Sequence, residues 1–192
     1  MIALFRAALL TSVLSLASLS AATIWTTPAG LSGAQERPEP VPSRGSGWGS
    51  ASYDPTTMLL SIYLEWANLT TTAGAAHIHC CPGPEGVGPV AVDFADIFPK
   101  TQSGTFSTVM DLDSADSYGG MFLAARGGDV DLARADFLAG MDAGLAYYNI
   151  HTPTFPAGEI RGNLAPIPEP GSIALLGLGL AGLAVRRRFA TK

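Results

Sequence analysis

The chain holds three histidines and two cysteines, and four of these five residues fall together in His77-Ile78-His79-Cys80-Cys81, with His151 far downstream. Imidazole and thiolate are the side chains that zinc and copper favour. In an extended segment, His77 and His79 point to one face and Ile78 to the other. The same alternation around His151 places Tyr147, Asn149 and His151 on one face, and Tyr148 and Ile150 on the opposite one. If both isoleucines face a core, the histidines share the remaining side. Neighbouring strands would then bring His77, His79 and His151 together as a zinc or copper site with a redox or sensing role, Cys80 and Cys81 standing at the strand's exit. The alternative is structural: each imidazole bonds a loop carbonyl or a carboxylate, and Glu159 is close in sequence to His151.

Cys80 and Cys81 are the only cysteines. In an oxidising compartment, four states are open to them. They are a vicinal disulfide, two thiolate ligands beside His79, an intermolecular link, or free thiols. The disulfide ranks first. It would stiffen the loop Cys80–Pro89 while adding little loop-closure entropy, because the loop it closes is nearly nil.

Other chemistry is thinly supported. No Gly-x-Ser-x-Gly and no phosphate loop occurs, and no nucleophile pattern accompanies the histidines. Three histidines are too few for both metals of a copper–zinc superoxide dismutase. Asp111-x-Asp113-x-x-Asp116 and Asp129-x-Asp131 lack the glycine and terminal glutamate of a calcium loop, and read as solvated loop. Trp48, Trp66 and Tyr147–Tyr148 suit a carbohydrate platform, although Trp66 alternates with Glu65 and is better placed in a core. Arg161 is expected to pair with Glu159 or another acid at the surface, where such a pair is worth about 0–1 kcal/mol.

The elements that must position these residues are mostly strands. Leu60, Ile62, Leu64 and Trp66 alternate with Ser61, Tyr63 and Glu65, which predicts a half-buried strand over Met58–Trp66. Gly47–Tyr53 predicts a shorter partner, joined through the turn residues Asp54-Pro55-Thr56-Thr57. Further strands are expected at Ala73–His79, Val90–Phe94, Gly104–Leu112, Gly144–Thr152 and Glu159–Leu164. One short helix is expected at Asp131–Gly140, after a long polar loop over Asp113–Asp129. Ile24–Leu31 reads as an edge strand, because Gln35–Pro42 is too proline-rich for a central one. Short strands separated by turns predict an all-β, antiparallel sandwich or barrel.

The two ends are not part of this fold. Met1–Ala22 has one early positive charge (Arg6), an apolar stretch Ala7–Leu19 and small residues at Ser20, Ala21 and Ala22, the layout of a secretory signal peptide. At the other end, Pro168-Glu169-Pro170 stays extended because proline cannot enter a helix interior. An uncharged run Ile173–Val185 and then Arg186-Arg187-Arg188 follow, suiting a transmembrane helix held by cytoplasmic positive charge. The organisation is therefore a signal peptide over 1–22, a β domain over 23–165 and a tail over 166–192. The chain carries −5 in all, but Thr23–Ala165 has six Lys or Arg against fifteen Asp or Glu, a net of −9. Without a basic stripe, nucleic acid is excluded as a partner.

This tail resembles the PEP-CTERM sorting signal, which implies exosortase as a partner. It further implies inner-membrane anchoring by the C-terminal helix, followed by the cell surface or extracellular matrix after sorting. Three motifs in the middle also stand in a telling order. They are Leu31-Ser32-Gly33-Ala34-Gln35-Glu36, then Ala75-Ala76-His77-Ile78-His79, then Asn149-Ile150-His151-Thr152 with Gly158-Glu159-Ile160-Arg161-Gly162. Together they resemble the CHRD domain over about Leu31–Leu164. That resemblance implies an immunoglobulin-like all-β fold with no catalytic residues to transfer. Cys80-Cys81-Pro82 departs from the Gly-Pro of many relatives, and Asp111–Asp142 is longer than in compact members. The expectation is a non-enzymatic envelope or biofilm protein, with exopolysaccharide or other surface proteins as partners.

Overall fold

The computed structural model describes residues 22–81 and 86–167, with 177, 179, 180 and 183. Most of the signal segment, the Pro168-Glu169-Pro170 motif, Arg186–Arg188 and nearly all of the expected transmembrane helix lie outside the described residues. Among the described residues no helix is long and apolar enough to cross a membrane.

The strands are β1 (Thr23–Thr26), β2 (Leu31–Ser32), β3 (Ser46–Asp54), β4 (Leu59–Ala67), β5 (Ala75–His79), β6 (Val90–Asp93), β7 (Gly104–Asp111), β8 (Tyr147–His151), β9 (Ile160–Asn163) and β10 (Ala165–Pro166). All their pairings are antiparallel, in the order β10-β1-β3-β2-β9-β8-β5-β6, while β4 joins the other edge of β3 and β7 joins β4. The nine-residue strand β3 is the seam: β1 and β2 pair with successive halves of one edge, and β4 runs along the other.

Two inner faces meet across this seam. From β4 come Leu60, Ile62, Leu64 and Trp66, and from β5, β8 and β9 come Ala76, Ile78, Tyr148, Ile150 and Ile160, all buried. The Tyr148 ring lies over Gly49, where a Cβ would fall 2.7 Å from it, so only glycine permits this approach. The Tyr148 hydroxyl then donates to the Ser50 carbonyl at 2.8 Å. Burying Ile78 alone contributes roughly 1.5–3 kcal/mol.

Two expectations need correction. The stretch expected as loop before the single helix contains a helix of its own, α1 (Gly120–Ala124), which precedes α2 (Val130–Asp142). Phe122 of α1 and Phe137 of α2 are fully buried. Phe122 stands in the short run Gly119-Gly120-Met121-Phe122-Leu123-Ala124-Ala125, which has no polar face to mark α1 as an amphipathic helix. Second, β1 is not an edge strand, because β10 covers it: Ile167 N–H donates to the Ile24 carbonyl at 2.9 Å. The aspartates also have local tasks. Asp129 caps α2 by accepting from Leu132 N–H, and Asp113 and Asp131 both accept from Arg134.

Candidate metal centre

The antiparallel register places the site. His77 pairs with Asn149 of β8 and Asp93 of β6, and His79 pairs with Tyr147. Arg161 of β9 lies opposite Asn149, so Arg161, Asn149, His77 and Asp93 form one row across four strands. Because Ile78, Tyr148, Ile150 and Ile160 occupy the core side, this row and its neighbours occupy the reverse face. That face is not open to solvent. Arg161, Tyr147, Asn149 and His79 are 1%, 1%, 4% and 8% exposed. Loops roof them: Gly86 and Gly88 over Arg161 and His79, Pro156 over His151, and Glu36 over Asn149.

The three histidines converge. One ring nitrogen from each lies within 4.8 Å of those of the other two. Ring centroids are 5.5 Å apart for His77–His79, 5.1 Å for His77–His151 and 5.6 Å for His79–His151. His79 Nδ1 sits 2.9 Å from the Gly88 carbonyl and His151 Nδ1 3.1 Å from the Pro156 carbonyl. Each ring therefore donates from Nδ1, which leaves a lone pair on Nε2. His77 Nε2 lies 3.6 Å from the Asp93 carboxylate. The other nitrogens, Nδ1 of His77 and Nε2 of His79 and His151, are buried without a hydrogen-bond partner. An unsatisfied buried nitrogen costs about 1–3 kcal/mol.

Burial lowers His77 and His79 to about 4, and lowers His151 as well. The neighbouring His151 ring deepens the first two shifts, while Asp93 opposes that of His77 and the Gly88 bond opposes that of His79. All three are thus neutral at pH 7, the form that binds metal. A proton satisfies one lone pair, whereas one shared cation satisfies three.

Tyr147 and Asn149, expected on the His151 face, stand there, and Arg161 and Glu36 join them. Tyr147 stacks on His79, with ring centroids 5.1 Å apart and planes within 9°. The Arg161 guanidinium stands 3.5 Å over the Tyr147 ring. Arg161, expected at the surface, is instead among the largest fully buried side chains. Glu36, buried beside Asn149, is pushed up to about 7 by burial, against the Asn149 hydrogen bond and the charges of Arg161 and Arg37. Glu159 does not meet His151. It accepts from Ser43 Oγ, Thr70 N–H, Thr70 Oγ1 and Thr152 Oγ1 at 2.6–2.9 Å, and these bonds hold its carboxyl below its usual range despite burial. The alternation that placed Tyr147 and Asn149 beside His151 continues in β9, where Ile160 faces the core and Arg161 the reverse face, and that signal could have found Arg161.

Cys80 and Cys81 are joined as a vicinal disulfide. Following the alternation of β5, Cys80 turns to the core, and both sulfurs pack against Gly140 of α2, where any side chain would displace them. Trp66, Tyr147 and Tyr148 are buried, and Trp48 alone of the aromatic residues considered for a carbohydrate platform is solvent-facing.

The architecture is thus an all-β, antiparallel domain with a buried histidine cluster behind its second inner face. Residues 27–164 match the CHRD domain family, and the chain belongs to it. Residues 166–188 match the PEP-CTERM protein-sorting motif, which makes this an exported, exosortase-processed surface protein. No curated protein and no solved structure matches the chain.

Proposed function

We propose that the protein is a non-catalytic binding component of the cell envelope or biofilm matrix whose CHRD domain holds one zinc or copper ion through His77, His79 and His151. A single observation carries the metal reading. One ring nitrogen of each of three neutral imidazoles lies within 4.8 Å of those of the other two, each ring has a buried nitrogen without a hydrogen-bond partner, and two rings donate from Nδ1 to a fixed carbonyl. Metal-bound histidines have this arrangement, with the second nitrogen fixing tautomer and ring orientation. Nitrogen-only ligation suits zinc and copper rather than calcium or magnesium. The disulfide withholds both sulfurs from the metal, so the ligand set is the histidines alone. Before sorting, the C-terminal segment anchors the chain in the inner membrane; afterwards the domain is displayed with exopolysaccharide or other surface proteins as partners.

The test is metal content by mass spectrometry on the exported protein, purified without a His-tag. About one equivalent of zinc or copper is expected in the parent and none in a His77→Ala/His79→Ala double variant. A folded parent that stays empty after incubation with either metal would sink this reading. Sorting is tested separately. Replacing Pro168-Glu169-Pro170 by alanines should leave the protein membrane-bound and unprocessed.

A further inference from the structure

The bonds that orient the histidines end on loops, not on the sheet. His79 Nδ1 is paired with the Gly88 carbonyl at 2.9 Å, and the Gly88 N–H donates to the Tyr147 hydroxyl at 3.0 Å. Arg161 Nη1 donates to the Gly86 carbonyl at 3.1 Å. Side chains from three adjacent strands, β5, β8 and β9, therefore hold residues 86–88. His151 Nδ1 does the same for the other loop through the Pro156 carbonyl. That loop is closed on itself by Phe155 N–H to the Thr152 carbonyl and Gly158 N–H to the Phe155 carbonyl, each at 3.1 Å.

We propose that metal at this centre acts as a tautomer lock that fastens the loops 86–88 and 153–158 over the reverse face, with Tyr147 as a positioning residue. This rests on the metal reading above. An empty neutral imidazole can carry its proton on either nitrogen, and only the Nδ1–H form bonds the loop carbonyl. A cation on Nε2 of His79 and His151 excludes the other tautomer. It also draws charge from each ring, which strengthens donation from Nδ1. Coupling is reciprocal: whatever fastens the loops must tighten metal binding by the same factor. Bound ion then raises the population in which the surface made by the two loops is closed.

Amide hydrogen exchange on the exported protein, with and without stoichiometric zinc, tests this directly. Zinc should slow exchange at Gly88, Phe155 and Gly158 by about tenfold, within the ordinary range of coupling between sites. The ladder amides of β3 and β4 should not change. Measured zinc binding with unaltered loop exchange would overturn the lock and leave the metal reading standing. Slowing spread evenly into β3 and β4 would overturn it too, as mere global stabilisation. Failure to bind zinc or copper at all would remove both ideas. The variant Tyr147→Phe keeps the ring on His79 but deletes the oxygen that receives Gly88 N–H. It should lose zinc-dependent slowing at Gly88, keep it at Phe155 and Gly158, and bind zinc about tenfold more weakly. Unchanged affinity and unchanged slowing at Gly88 would remove Tyr147 from the positioning role.

Discussion

The outer face of β3, β4 and β7 and the reverse face of β5, β8 and β9 follow the same two-residue alternation, yet they do opposite things. On the first, Ser61, Glu65, Thr105 and Ser107 are exposed, as a solvated sheet face requires. On the second, Tyr147, Asn149 and Arg161 are buried under loops. Alternation reports only that a residue is not in the main core. Residue type separates the two cases: short hydroxyls tolerate water, whereas imidazole, amide and guanidinium arranged in rows need partners. A sheet face rich in such groups marks where loops will fold over and a site will form.

Three substitutions sharpen that contrast, from the largest effect to the smallest. Ile78→Ala empties the inner face beneath the histidines and should cost about 2–5 kcal/mol in urea unfolding. Glu159→Ala removes the acceptor of Thr70 N–H and of the Ser43, Thr70 and Thr152 hydroxyls, a network built around a buried carboxylate, and should cost about 3 kcal/mol by the same measurement. Ser61→Ala, on the solvated face, should stay within about 0.5 kcal/mol. If Glu159→Ala proved as mild as Ser61→Ala, buried and solvated polar groups of this domain would not differ as described.

The dependence on pH follows from the same face. His77 and His79 fall from an ordinary 6.5 to about 4 on folding. Their contribution is complete above 6.5, where both folded and unfolded chains hold neutral rings, and is lost as pH falls towards 4. Glu36, raised from 4.5 to about 7, works with the opposite sign, and its contribution is lost as pH rises through that window. The metal-free domain should therefore unfold more readily on acidification between about 6.5 and 4. A Glu36→Gln variant should show a steeper loss on acidification. Thermal unfolding at stepped pH checks both, and a variant no steeper than the parent would contradict the account of Glu36.

Much of the fold was legible because its signals are local. The alternation in Leu60–Trp66 found β4, and turn chemistry at Asp54–Thr57 found the hairpin. The His-x-His pair and the two isoleucines gave the shared side of the three histidines. The covering of the site was not legible, because Glu36 reaches it from a distant part of the chain and the loop carrying Gly88 has no periodic pattern to show which way it folds. Helix α1 was hidden for a related reason: its single buried residue, Phe122, sits between glycines and solvent-facing neighbours.

The exit of the tail has a mechanical meaning. The last described strand, β10, pairs with β1 through Trp25↔Pro166 and Thr26↔Ala165, so the start of the domain and the exit of its C-terminal segment lie side by side. A pull on the segment beyond Ile167 would peel the two-residue strand β10 from β1 before it loaded the longer ladders. The histidine strands stand at the far end of the pairing order. Such a pull would fray this margin first and reach the histidine strands last, so β10 serves the domain as a sacrificial hem.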